Sequence, residues 1–266
     1  MVLAPEGGAV AAVDVRGDGP GTKETDALDP RNLVQKVEAI VLTGGSACGL
    51  DAASGVMAWL EEQRRGVRVG VGVDPAHVVP VVPAACVFDL GRGGDFRARP
   101  DAATGRAAVE AGAAVQEGCV GAGTGATAGP VKGGIGTATT VLNSGVTVAA
   151  LVVANAAGSA VEPGTGALYG ELSQGRVSCP AQDVHRAARL RLAEIVAKNA
   201  PPPLDTTLAV VATYADLAKA QAQKLAGTAH DGIARAVRPV HLLNDGTTVA
   251  TVAVAVMNAA PTVAVA

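Results

Sequence analysis

The stretch Pro201-Pro202-Pro203-Leu204-Asp205-Thr206-Thr207-Leu208-Ala209-Val210-Val211-Ala212-Thr213 decides how the chain is read. Three consecutive prolines stop any preceding helix and hold the backbone extended. The β-branched and apolar run from Thr206 to Thr213 then begins a strand without an intervening turn. Upstream, Val146 to Ala154 is a second strongly apolar run, read as a buried strand that ends at Asn155. Downstream, Asp216 to about Ala236 reads as a long helix. Asn244-Asp245-Gly246 reads as a hairpin-type turn into a last strand, Thr247 to Val256.

The same alternation continues outward. Val10 to Val15 and Ala39 to Thr43 read as strands, and Ser46 is placed to cap a helix running to about Arg65. A short strand is expected at Val67 to Val71 and a second helix from Asp101 to about Ala114. Gln182 to Asn199 has amphipathic spacing, with Val184, Ala188, Ile195 and the stem of Arg191 along one stripe. No fixed-period repeat is present. Strands, helices and more strands in this order predict one domain over residues 1–266, an α+β or α/β layered sandwich.

Composition narrows the function classes. Hydrophobic residues make up 49% of the 266 and charged residues 17%, a balance that supports a folded core rather than disorder. Aromatics are only 2% beside 34 glycines, so the layers are expected to approach closely through small side chains. A net charge of -3, without basic runs interleaved by aromatics, gives no footprint for nucleic acid. Cys48, Cys86, Cys119 and Cys179 stand apart, with no CxxC pair and no metal-ligand spacing to histidine. They read as reduced thiols of a cytoplasmic protein that uses neither metal nor cofactor. The N-terminus lacks the basic start and apolar stretch of a secretory signal. The uncharged tail from Thr247 to Ala266, broken by Asn258 and Pro261, reads as a strand and a loop, not a membrane span.

Asp205-Thr206 is also where chemistry is expected. A threonine hydroxyl is a weak nucleophile unless a base lies beside it. A threonine at a free N-terminus carries that base in its own α-amine, with a reference pKa of about 8. Cleavage of the Asp205–Thr206 bond would expose it and give fragments 1–205 and 206–266. The plain alternative is that Asp-Thr-Thr only starts a strand.

Three other features call for a reading. Gly118 to Ala138 (GCVGAGTGATAGPVKGGIGTA) is too rich in glycine for an ordinary helix or strand. Gly121-x-Gly123-x-x-Ala126 matches a dinucleotide fingerprint only superficially, because TAGPVKGG cannot open the required helix. Lys132 inside this run is either a solvated lysine or a site group that small neighbours leave accessible. Asn155, at a buried strand end, is either satisfied by backbone or aimed at a developing oxyanion. His77, His185, His230 and His241 have no partner legible in the sequence.

Taken together, these pieces resemble the DmpA-like L-aminopeptidase/D-esterase family, which includes β-aminopeptidases and nylon-oligomer (6-aminohexanoate oligomer) endohydrolases. The resemblance runs from about Gly17 to Val254. It is carried by GGSACGLDAASGV from Gly44, VPVVPAACVFDL from Val79 and VGAGTGATAGPVKGGIGTA from Val120. SGVTVAALVVANAAG from Ser144, DTTLAVVAT from Asp205 and AHDGIARAVRPVH from Ala229 continue it. It implies a four-layer α-β-β-α sandwich and a tetramer of processed heterodimers. It implies further that Thr206 is the self-cleavage nucleophile, that Asn155 helps form the oxyanion site, and that Lys132 and Asp245 are site groups near the nucleophile.

This chain departs from the family pattern at several places. Asp205 stands where Asn or Gly is common, Cys48 where Tyr is frequent, and Thr247 where nylon-oligomer hydrolases place a second Asp. Relative to the family the chain also starts late and stops early, so an N-terminal strand and a last helix are expected to be missing. The expected function is a self-cleaving hydrolase of short peptides or amides, with esters and oligoamides as further candidates. The alternatives are an uncleaved, non-catalytic relative that binds small molecules or assembles, and, third, a nucleotide-binding protein.

Overall fold

The computed structural model describes residues 1–70, 74–112, 114–198 and 204–253. Its first half contains strands β1 (Val2–Leu3), β2 (Ala9–Arg16), β3 (Gly21–Lys23), β4 (Lys36–Val37) and β5 (Ala39–Thr43). Helices α1 (Ser46–Gly49) and α2 (Ala52–Glu62) follow, then β6 (Val67–Arg68), β7 (Val78–Val79), β8 (Ala84–Cys86) and α3 (Ala102–Ala111). The glycine-rich segment forms the short strands β9 (Thr127–Ala128) and β10 (Val131–Lys132) and leads into β11 (Gly134–Val141) and β12 (Thr147–Ala154). Helices α4 (Tyr169–Ser173) and α5 (Gln182–Lys198) precede β13 (Asp205–Thr213), α6 (Lys219–Ala236) and β14 (Asp245–Ala253).

Two sheets carry the fold: a six-stranded one in the order β11-β12-β13-β14-β2-β4 and a four-stranded one in the order β1-β5-β8-β3. Side-chain alternation along β13 distributes residues between two cores. Leu208 and Val210 face the four-stranded sheet, packing with Ala85 and Ile135 and with Ile40 and Val81 respectively. Ala209 and Val211 turn the other way, onto Ala226 and Ile233 of α6. On the far side of the four-stranded sheet, Ala39 and Val41 pack on Val56 and Leu60 of α2 and Val109 of α3. The layers therefore run α2/α3, sheet, sheet, α6, which is the four-layer α-β-β-α sandwich implied by the resemblance. Strand β13 is buried on both faces, and truncating a fully buried residue such as Leu208 to Ala costs about 2–5 kcal/mol.

The scarcity of large side chains is used where helices cross. A Cβ on Gly55 of α2 would lie 1.8 Å from the Ala102 carbonyl oxygen, and one on Gly105 of α3 would lie 1.8 Å from that of Ala52. Helix α3 starts where the sequence placed it. Asp101 is its N-cap, Oδ1 accepting from the Thr104 amide at 2.8 Å, and Gly112 ends it with φ +48°.

Several expectations are corrected. Asn244-Asp245-Gly246 makes no hairpin: β14 begins at Asp245 and lies parallel to β13, a pairing that requires the α6 crossover between them. Ser46 caps nothing; it is the first residue of α1 with φ +51°, and the expected single helix is broken into α1 and α2. Gly121 to Gly123 forms one 3-10 turn leading into the β9/β10 ribbon, which removes the helix a dinucleotide site needs. The α5 stripe is not buried: Val184 is 57% exposed, and Ala188 and Arg191 are exposed as well. The triple proline, the side chain of Ile195, residues 71–73 and the chain from 254 onward lie outside the described residues. Among the described residues, no helix is long and apolar enough to cross a membrane.

Candidate active site

Two strands and one strand end bring the candidate residues together. In the parallel register Asp205 pairs with Asp245 and Thr206 with Gly246, while Asn155 follows directly on β12. Thr206 is 3% exposed, and its hydroxyl has two acceptors: the Asp205 carbonyl oxygen at 2.7 Å and the Gly19 carbonyl oxygen at 3.2 Å. Gly246 admits this arrangement, because a Cβ there would lie 2.4 Å from the Gly19 oxygen.

Asn155 is fully buried and fully engaged. Its Nδ2 donates to the carbonyl oxygens of Phe88 at 3.2 Å and Thr206 at 3.4 Å. Its Oδ1 accepts from Arg92 Nη1 at 2.5 Å and from the Thr127 amide at 3.1 Å. The Thr207 hydroxyl donates to the Asn155 carbonyl at 3.0 Å, so the side chain and backbone of Asn155 are both tied to β13.

Sequence reading missed Arg92. Besides holding Asn155, its guanidinium reaches the Asp205 carboxylate at 2.5 Å and the carbonyl oxygens of Leu204 and Gly125, each at 3.2 Å. The available signal was an arginine set among Gly91, Gly93 and Gly94, immediately after the VPVVPAACVFDL block. A cleft of about 570 Å³ runs along this loop, lined by Asp89, Gly91, Gly93, Arg97 and Gly125 among others.

The two carboxylates differ. Burial raises the Asp205 pKa, and the Arg92 charge and hydrogen bond oppose that rise. Asp245 is fully buried, and neither of its oxygens has a hydrogen-bond partner of normal geometry. Burial, and next the Asp205 charge, push its pKa up to about 7 against a weaker pull from the Ala157 amide.

Lys132 lies on β10 opposite Thr127, whose amide donates to Asn155. Its side chain is exposed and makes no hydrogen bond or ion pair to Thr206, Asn155 or Asp245. Cys48 is exposed, with its sulfur 3.2 Å from Arg99 Nη1 and no bond to the Thr206 group. The Thr247 departure has a partner: its hydroxyl lies 3.0 Å from His241 Nδ1. The His241 ring meets that of His230 edge-on at 4.8 Å, and His230 Nε2 is 3.0 Å from Asp14 Oδ1. Among the described residues no group of three or more His, Cys, Asp or Glu is arranged to hold a metal.

The arrangement is a threonine hydroxyl held against the carbonyl of its own preceding residue, in a pocket closed by Asn155, Arg92 and two aspartates. Such a site suits acyl transfer from an amide to the hydroxyl.

Comparison with known proteins agrees. The model of peptidase family S58 matches residues 1–265. An uncharacterized aminopeptidase of Mycobacterium bovis is 47% identical over 264 residues, covering 96% of this chain and 74% of that protein. A Burkholderia sp. β-aminopeptidase has a TM-score of 0.65 at 23% identity, over 97% of this chain and 66% of its own. The L-aminopeptidase D-Ala-esterase/amidase of Ochrobactrum anthropi, described as a variant of the Ntn hydrolase fold, has a TM-score of 0.58 at 25% identity. That match covers 92% of this chain and 61% of its own, so this chain spans less than two thirds of the length of either solved structure.

Proposed function

The chain belongs to peptidase family S58 and has the N-terminal-nucleophile hydrolase fold of its aminopeptidase relatives, and on that premise we propose that Thr206 is its self-released nucleophile. The observation that carries this reading is the Thr206 hydroxyl lying 2.7 Å from the Asp205 carbonyl oxygen inside a buried polar pocket.

In processing, Thr206 Oγ attacks the Asp205 carbonyl carbon. The new C–O bond replaces the C–N bond, and the nitrogen takes up a proton to become the α-amine of Thr206. Water then opens the ester, leaving a carboxylic acid on Asp205 and a free hydroxyl on Thr206. In turnover the Thr206 amine accepts the hydroxyl proton as Oγ attacks a substrate amide, and passes it to the departing amine. Water hydrolyses the resulting acyl-enzyme.

Asn155 Nδ2, shared in the uncleaved chain between the Phe88 and Thr206 carbonyls, becomes a donor of the oxyanion site, together with backbone N–H groups of the glycine segment. Asp245 tunes the charge of the new amine, and the exposed Lys132 on β10 orients substrate. Substrates are short peptides or amides with a free amino terminus. The processed fragments, 1–205 and 206–266, assemble as a homo-oligomer. Exposed apolar side chains on and just beyond β11, Val141 (65%) and Leu142 (49%), offer a surface for that assembly. Exposed thiols at Cys48, Cys119 and Cys179 suit a reducing cytoplasm.

Hydrolysis of aminoacyl p-nitroanilides tests this reading. Wild-type protein and Thr206→Ser are expected to release nitroaniline, and Thr206→Ala is not. Equal rates for wild type and Thr206→Ala would overturn it.

A further inference from the structure

Self-cleavage makes Asp205 the first acyl group this site handles. The ester formed in processing is an acyl-enzyme whose acyl group is aspartyl, and the same pocket must hydrolyse it. The contacts around Asp205 in the uncleaved chain therefore outline how an acyl residue sits beside Thr206.

Those contacts are specific. The side chain of Asp205 turns inward at the site: Leu204 before it is 43% exposed, whereas Asp205 is 8% exposed. Its β-carboxylate lies on Arg92, whose guanidinium is fixed from behind by Asn155 Oδ1 and the Gly125 carbonyl. Its backbone nitrogen donates to the Asn244 carbonyl at 3.1 Å, beside the Asp245 carboxylate paired with it across the strands. In a free substrate that nitrogen is an ammonium, and a buried carboxylate on the residue paired across the strands is the complement an aminopeptidase needs.

We propose that the mature site takes peptides and amides whose N-terminal residue is aspartyl, with Arg92 binding the β-carboxylate and the Asn244 carbonyl and Asp245 receiving the α-ammonium. The inference rests on the self-processing reading above. Arg92 is thus a specificity-determining residue. Departure of the Asp205 end after processing leaves its guanidinium without a carboxylate until substrate supplies one. A planar guanidinium held in this way favours a carboxylate over the isosteric carboxamide. Because Arg92 is braced by two acceptors, it cannot retreat by a methylene, and glutamyl substrates rank below aspartyl ones.

The test uses wild-type protein whose processing has been established by mass. The ratio of kcat/KM for aspartyl p-nitroanilide to that for asparaginyl p-nitroanilide is expected to be at least tenfold in favour of aspartyl. Free L-aspartate is expected to inhibit alanyl p-nitroanilide hydrolysis at one-tenth or less of the concentration of L-asparagine required. In Arg92→Lys the aspartyl-to-asparaginyl ratio is expected to fall at least fivefold. If that variant fails to process, the wild-type substrate ratio and the inhibition by aspartate still decide. Processed wild-type protein that hydrolyses the two amides equally, or prefers asparaginyl, would overturn the inference and leave self-processing intact. An unprocessed wild-type chain would sink both.

Discussion

The Arg92 guanidinium closes on the Asp205 carboxylate at 2.5 Å across 113 residues of sequence, with 15% and 10% of the two side chains exposed. Removing one partner of such a pair leaves a charge without compensation, at a cost of about 3–5 kcal/mol for a fully buried pair. Arg92→Gln, made in the Thr206→Ala background so that the chain stays whole, is expected to lose stability at the low end of that range. Adding Asp205→Asn removes the orphaned charge and is expected to restore most of the loss. Urea denaturation of the single and double variants measures the coupling; additive losses would mean the pair is not coupled.

Asp245 sets a pH dependence of known sign. Its folded pKa of about 7 lies above the ordinary carboxylate value, so the folded chain binds the extra proton between about pH 4 and 7. Its contribution to stability is full below that window and is lost as pH rises through it. Asp245→Asn is therefore expected to melt higher than its parent at pH 8, by about 2–4 °C for each kcal/mol gained. A lower melting temperature at pH 8 would contradict the assignment.

The histidine pair acts in the opposite direction. Burial, then the His230 ring and Arg16, lower the His241 pKa to about 4, and burial also lowers that of His230. Asp14 opposes both shifts. The unfolded chain thus binds more protons below about pH 6.5, and stability held above that pH is lost as pH falls toward 4. Asp245 and the histidines partly offset one another in the parent, so Asp245→Asn is expected to unmask the acid sensitivity. His241→Asn in addition, which suits the left-handed backbone there (φ +59°), is expected to flatten it. Melting curves from pH 4 to 7 read both effects.

Gly246 tests the placement of the nucleophile. A methyl group at this position meets the Gly19 carbonyl, the second acceptor of the Thr206 hydroxyl. Gly246→Ala is expected to destabilise by about 1–3 kcal/mol, as overpacking does, and to slow processing at least tenfold in folded protein. Processing at the parent rate would show that the Gly19 contact plays no part.

The layered fold was legible because apolar runs such as Thr206 to Thr213 and Val146 to Ala154 are long and carry few alternatives. Asn244-Asp245-Gly246 misled because a local turn signal does not reveal whether the next strand pairs antiparallel or parallel; the α6 crossover settles that at long range. The α5 stripe followed helical spacing correctly, yet spacing alone does not supply a surface to bury it. In the site, Thr206, Asn155 and Asp245 were singled out through strand ends and family resemblance, and the structure places them at the ends of adjoining strands. Lys132 remains exposed on its ribbon. Arg92 escaped notice and His241 was named without a partner, because what defines each is a partner distant in sequence or seated on another element: Asp205 for one, Thr247 and His230 for the other.

Intact mass under denaturing conditions, for the purified protein beside its Thr206→Ala variant, tests the self-release of Thr206 most directly. Two fragments in the wild type, 1–205 and 206–266, the smaller beginning Thr-Thr-Leu-Ala-Val-Val, with the variant whole, are expected. A single intact species in both samples after long incubation would contradict self-processing and leave a folded, catalytically silent member of the family.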